Sequence, residues 1–221
     1  MAYWISHLRV AQAVKDKVDF PLDIEKYYVG SIATDCGSIQ TDENGKHFYI
    51  PPRYVSHWTD NIPNWDAPIH YDRFYDTYIK NENDYSKKSF YLGYYIHLLT
   101  DAIWIELISR PLIESFETLE EYGKVARNKY RDDMYHTEVI FLRNNPAFHP
   151  LELVKTIHSF ENIYLDYFHQ EAIKINIDRV ADNYNLLDAD EKTEYPYFSC
   201  ENYEAMMLTI ERIVKMSLLA K

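Results

Sequence analysis

Apolar residues recur at three- and four-residue spacing along most of this chain, from Ser6 to Leu219, and almost nowhere at the two-residue spacing of a half-buried strand. The pattern predicts a first helix from Ser6, a good N-cap, through His7, Val10, Ala11 and Val14. A second runs from Leu22 to Thr34, with Gly37 as its stop. Residues 38–66 show neither period and read as a long loop, turned at Asn44-Gly45 and extended at Pro51-Pro52. Its aromatics, among them Trp58 and Trp65, imply that something pins it to the body. A third helix is expected from about Pro68 to Ile79. The longest apolar run follows, from about Tyr85 to Arg110, closed by Pro111. Thr118 caps a further helix to about Phe141, Leu151 to Val180 gives one or two more, and Met206 to Leu219 closes the set.

The central run organises the rest. On one helix, Gly93, His97, Asp101, Trp104 and Ile108 form a single stripe, so an imidazole and a carboxylate sit in an apolar seam. Burying such groups without partners costs roughly 2–7 kcal/mol even for a neutral polar group. Two compensations are open: a salt-bridged pair that holds the core together, or a metal ion that takes both as ligands. Asp133 and His136 form a second polar pair on the Thr118–Phe141 helix, and its alternative reading is a solvated charged face. His7 lies at the buried edge of the first helix. His47 and His57 both offer themselves as tethers of the long loop, and spacing alone does not choose between them. Asp35, at the end of the second helix, faces the negative end of the helix dipole, a mismatch that a nearby cation would repair.

Composition narrows the class. With 221 residues, 5 Gly and 9 Pro, the expectation is one all-α domain, a helical bundle around a central buried helix. Twenty-one tyrosines are expected to fill the outer core with their hydroxyls reaching water. The net charge of −12, from 35 acidic and 23 basic residues, argues against stable nucleic-acid binding. Two cysteines are too few for a disulfide framework, no apolar run reaches the ~18 residues a bilayer needs, and the start Met1-Ala2-Tyr3-Trp4 has no signal-peptide pattern. A cytoplasmic location is the expectation.

In matching order, the chain carries Ser6-His7-Leu8-Arg9-Val10-Ala11, Gly30-Ser31-Ile32-Ala33-Thr34-Asp35, Ser56-His57-Trp58, Gly93 with His97 and Asp101, and a later aspartate and histidine. In this it resembles the zinc-dependent phospholipase C superfamily, all-helical metallohydrolases that also include single-strand-specific nucleases. The resemblance implies one zinc held by Asp35, His57, His97 and Asp101, and a second held by His7 with Asp101 bridging. Ser56-His57-Trp58 looks like the family's loop-ligand signature, which favours His57 over His47. Asp133 and His136 are the best match for an additional metal. The amino-terminal tryptophan chelate of the secreted enzymes and a histidine after Asp101 have no counterparts, so one or two Zn²⁺ ions are expected. Asp35 would orient or deprotonate the attacking water; composition, not the resemblance, offers Trp58 and Trp65 as substrate contacts that stack on a base or face a quaternary ammonium head group. The implied activity is hydrolysis of a phosphodiester or phosphomonoester in a small or lipid-derived molecule. The rival is a non-catalytic helical binding protein with a structural metal site or buried His/Asp pairs. His-Asp-type phosphohydrolases are set aside, since the chain has no adjacent His-Asp dipeptide.

Overall fold

The computed structural model describes residues 2–41, 43, 45, 47–62, 66–184 and 194–221. It is built on the crossing of two helices, α2 (Ile24–Ala33) and α5 (Tyr85–Trp104). A glycine on each makes the crossing close: a Cβ on Gly30 would overlap the Phe90 carbonyl, and one on Gly93 the Tyr27 carbonyl. Backbone therefore meets backbone. Both helices are fixed at their starts by aspartates, Asp23 accepting from the Lys26 N–H and Asp84 from the N–H groups of Ser86 and Lys87. Helix α1 (Trp4–Val14) lies across this pair, and α11 (Cys200–Leu219) packs against α1 and α5. Around them stand α4 (Tyr71–Tyr78), α8 (Arg127–Asn144), α9 (His149–Lys155) and α10 (Ala172–Asn183), with the short α3 (Arg53–Ser56), α6 (Arg110–Glu114) and α7 (Leu119–Val125). The architecture is all-α, and one cluster of buried side chains runs from Ala2 to Val214.

Several boundaries differ from the periodicity, each for a local reason. The first helix begins at Trp4, so Ser6 lies inside it; its hydroxyl is drawn to Glu138 at 2.7 Å instead of capping. Pro111 does not end the central run. A π-helical turn, Ile105–Ser109, widens the helix just before it and Pro111 enters the first turn of α6, where a missing N–H is tolerated. The Thr118–Phe141 helix is two, broken at Ala126, whose φ of −113° departs from helical geometry. The closing helix starts at Cys200, earlier than the apolar period suggests, because Ser199 caps it through the Asn202 N–H.

The long loop is also more ordered than its pattern. It holds an antiparallel hairpin, β1 (Ser38–Thr41) with β2 (His47–Ile50), in the register Ser38 to Ile50 and Thr41 to His47. Past α3 it is pinned by the Tyr94 hydroxyl, which donates to the Ser56 carbonyl, and by a bridge between Thr59 and Ile69. The tyrosines largely turn inward. Tyr27, Tyr28, Tyr94 and Tyr95 are buried; Tyr27 donates to the Ala11 carbonyl at 2.7 Å, and Tyr91 to the Tyr164 carbonyl at 2.9 Å. Protein carbonyls replace water as partners, which lets so many phenols enter a core.

Candidate metal centre

Four elements converge on the α2–α5 crossing. Gly93 lets α2 approach closely, and one turn later His97 reaches back to it: its Nδ1 lies 2.8 Å from the Ser31 carbonyl. A carbonyl only accepts, so Nδ1 carries the proton and Nε2 keeps its lone pair. One further turn on, Asp101 presents Oδ2 to His97 Nε2 at 3.6 Å and to His57 Nε2 at 3.7 Å. Its Oδ1 faces His7 Nε2 at 3.5 Å and accepts from the Ala2 N–H at 3.2 Å. His57, at the end of α3, also lies 3.4 Å from Asp35 Oδ1, and the Ser56 hydroxyl contacts its Nδ1 at 2.9 Å. From α1, the His7 ring stacks on that of His97 with centroids 3.5 Å apart.

The centre is buried and short of partners. His7, His97 and Asp101 have no solvent exposure, while Asp35 remains partly open. Both ring nitrogens of His7, Nε2 of His57 and of His97, and Oδ2 of Asp101 have no hydrogen-bond partner. Each such orphan costs about 1–3 kcal/mol. Five on neighbouring side chains are poorly explained as core salt bridges. They are well explained as donors to a cation: nitrogen and oxygen atoms of His57, His97 and Asp101 lie within 4.8 Å of one another, as do those of His7, Asp35 and His97. Imidazole nitrogen with carboxylate oxygen is a donor set that suits Zn²⁺.

At His7, His57, Asp101 and Asp35 the protonation state favours the same use, whereas at His97 an ion would have to displace a proton. Burial, with the charge of His97 next, lowers His7 to about 4, so its ring is neutral near pH 7. Burial also lowers His57, against the pull of Asp35. Burial alone would raise Asp101, but the His7 and His97 rings beside it outweigh that and hold the carboxyl well below its ordinary range. At Asp35, too, burial is overcome, here by His57 and His97, and the group stays ionised. His97 ends above its usual value because Asp101 and Asp35 overcome its desolvation.

A model of zinc-dependent phospholipase C matches residues 6–198, a span that contains every one of these side chains. The chain belongs to this zinc-dependent phospholipase C family. Comparison with curated proteins and with solved structures gives no match.

Of the residues singled out from the family pattern, His7, Asp35, His57, His97 and Asp101 come together. His57 reaches the centre; the backbone of His47 pairs with Thr41 in the hairpin. Asp133 and His136 do not join it. Asp133 Oδ2 accepts from the N–H groups of Tyr197 and Phe198 at 2.8 and 3.0 Å, and His136 stands beside Asp132 at 3.6 Å near the surface. Trp58 is turned away as well: it packs edge-on against Phe74 and Tyr78 and anchors the loop, with a strained φ of 53°. Trp65 lies outside the described residues. The orienting partners Ser31, Ser56 and Tyr94 are the contributions that spacing did not reveal, since a carbonyl or hydroxyl that turns a histidine leaves no periodic signal.

Proposed function

We propose that this chain is a zinc-dependent phosphoesterase that cleaves a phosphodiester bond in a lipid-derived substrate with water. The observation that carries the reading is the set of buried, partnerless donor atoms on His7, His57, His97 and Asp101. Asp35, His57, His97 and Asp101 would hold one ion and His7 a second, with Asp101 shared; its two oxygens facing different histidines supports that division. Zinc, when bound, lowers the pKa of a coordinated water to about 7 and offsets charge growing on the phosphoryl oxygens.

The chain's own residues do the rest. Asp35 lines the open cleft above the centre and stays ionised, so it accepts a hydrogen bond from the attacking water and orients it toward phosphorus. Ser31 and Ser56 hold the His97 and His57 rings so that Nε2 faces inward. The Ala2 N–H donates to Asp101 Oδ1 and helps to hold the carboxylate in place.

The test is metal analysis of protein purified without chelator, followed by hydrolysis of a chromogenic phosphodiester. At least one zinc per chain is expected, and Asp101→Asn should lower both zinc content and turnover. Less than one zinc per chain, or unchanged values in Asp101→Asn, would leave the helical binding protein as the better account.

A further inference from the structure

The cleft above the metal centre has a charge opposite to that of the chain. It encloses about 1430 Å³, with Asp35 and Ala2 at its inner end, and Ala2 in turn touches Asp101. Arg53, Lys124, Arg127, Arg131 and Arg179 line it. The lining carboxylates are Asp35 and Glu120, and both are engaged: Asp35 with His57, Glu120 with Lys124. In a protein of net charge −12, the side chains that face this cavity therefore carry a surplus of guanidinium groups.

Two of those groups form no ion pair among the described residues. Arg127, at the start of α8, and Arg179, on α10, are exposed and have no carboxylate within ion-pair distance among the described residues. Arg179 lines the cleft together with Asp35 and Gly37, and Arg127 stands beside Gly123 of α7. They enter from different helices and line the same space. Guanidinium is the group best shaped for bidentate contact with phosphate or carboxylate. The remaining wall is apolar, from Ile105, Ile113, Leu119 and Met134, and Leu119 is half exposed although it is a large aliphatic side chain.

We propose that the substrate carries a second anionic group besides its scissile phosphodiester, bound by Arg127 and Arg179, and that it is an anionic phospholipid whose acyl part lies along the apolar wall. This rests on the phosphoesterase reading and adds the substrate class to it. A head group bearing only a quaternary ammonium would meet arginines of its own sign.

The experiment has two arms. In the first, zinc-loaded protein hydrolyses short-chain phosphatidylserine, phosphatidylinositol 4-phosphate and phosphatidylcholine below their micelle concentrations, alongside glycerophosphoserine as an acyl-free control. The lipids with a second anion should show kcat/KM about tenfold or more above phosphatidylcholine, chiefly through KM, and Arg127→Gln with Arg179→Gln should remove that preference by raising KM for those lipids but not for phosphatidylcholine. Equal turnover of all three lipids, or a preference that survives the double variant, overturns the proposal and leaves the hydrolase reading intact. Glycerophosphoserine turned over as well as its lipid would keep the anion site but overturn the acyl assignment. In the second arm, inorganic pyrophosphate is titrated calorimetrically into zinc-free protein. Binding should weaken about tenfold or more in the double variant; unchanged binding counts against the two arginines even if no substrate is hydrolysed. Both positions are exposed, and circular dichroism confirms that the variants fold.

Discussion

Two helices of this protein carry a histidine and a carboxylate within one turn, and they have opposite fates. On α5, His97 and Asp101 are fully buried, and His97 Nε2 and Asp101 Oδ2, which face each other, have no hydrogen-bond partner. On α8, Asp133 is equally buried, but it accepts two backbone N–H groups from the segment before α11, while His136 stays near solvent. Glu138, one turn beyond Met134, is tied to Ser6 and to Tyr184. The sequence spacing barely distinguishes the two helices. What separates them is which groups converge on the carboxylate: His7, His57 and His97 around Asp101, but the N–H groups of Tyr197 and Phe198 at Asp133, and only the first set offers several donors to an ion.

The comparison breaks most directly at the histidines. His97→Ala should weaken zinc binding by more than about a hundredfold, since even indirect ligand partners are worth 10–100-fold, whereas His136→Ala should leave it unchanged. Competition against a fluorescent zinc chelator measures both; equal losses would erase the distinction. Next in size is the crossing that brings α5 to α2. Gly93→Ala forces a methyl into the Tyr27 carbonyl and should lower stability by about 3 kcal/mol or more in urea titration, with zinc affinity falling as Ser31 and His97 separate.

Glu138 sharpens the other side. Burial outweighs its hydrogen bonds from Tyr184 and Ser6 and raises its carboxyl from 4.5 to about 7. The fold therefore prefers the protonated acid. That preference contributes fully below the unfolded value of 4.5 and is lost as pH rises through about 7, a change on the order of 3 kcal/mol. Unfolding of zinc-free Glu138→Gln at about pH 5 and about pH 8 should show a smaller loss of stability than wild type across that interval; parallel losses would remove the group from the account. The smallest effect is expected at Asp133. Asp133→Asn keeps one acceptor oxygen for Tyr197 and Phe198 but loses its charge, at about 1 kcal/mol, and zinc per chain should stay the same by metal analysis.

The sequence by itself determined the helical class, the central helix and the order of the polar residues along it, because helical periodicity is a local property that needs no partner to be read. The histidines and carboxylates that meet were also visible as residue types in the right order: His7, Asp35, His57, His97 and Asp101. Their meeting was not visible. It depends on Gly30 and Gly93 letting two backbones touch, on Tyr94 drawing in the Ser56 carbonyl, and on Ser31 turning the His97 ring. Tertiary structure alone also decided which carboxylate met backbone N–H groups, as at Asp133, and which met three histidines, as at Asp101. It decided the sign of the charge at the cleft as well. A net charge is a sum over the whole chain, while a ligand feels the groups within about a Debye length; Arg127 and Arg179, some fifty residues apart in sequence, line one cavity only because α8 and α10 fold around it.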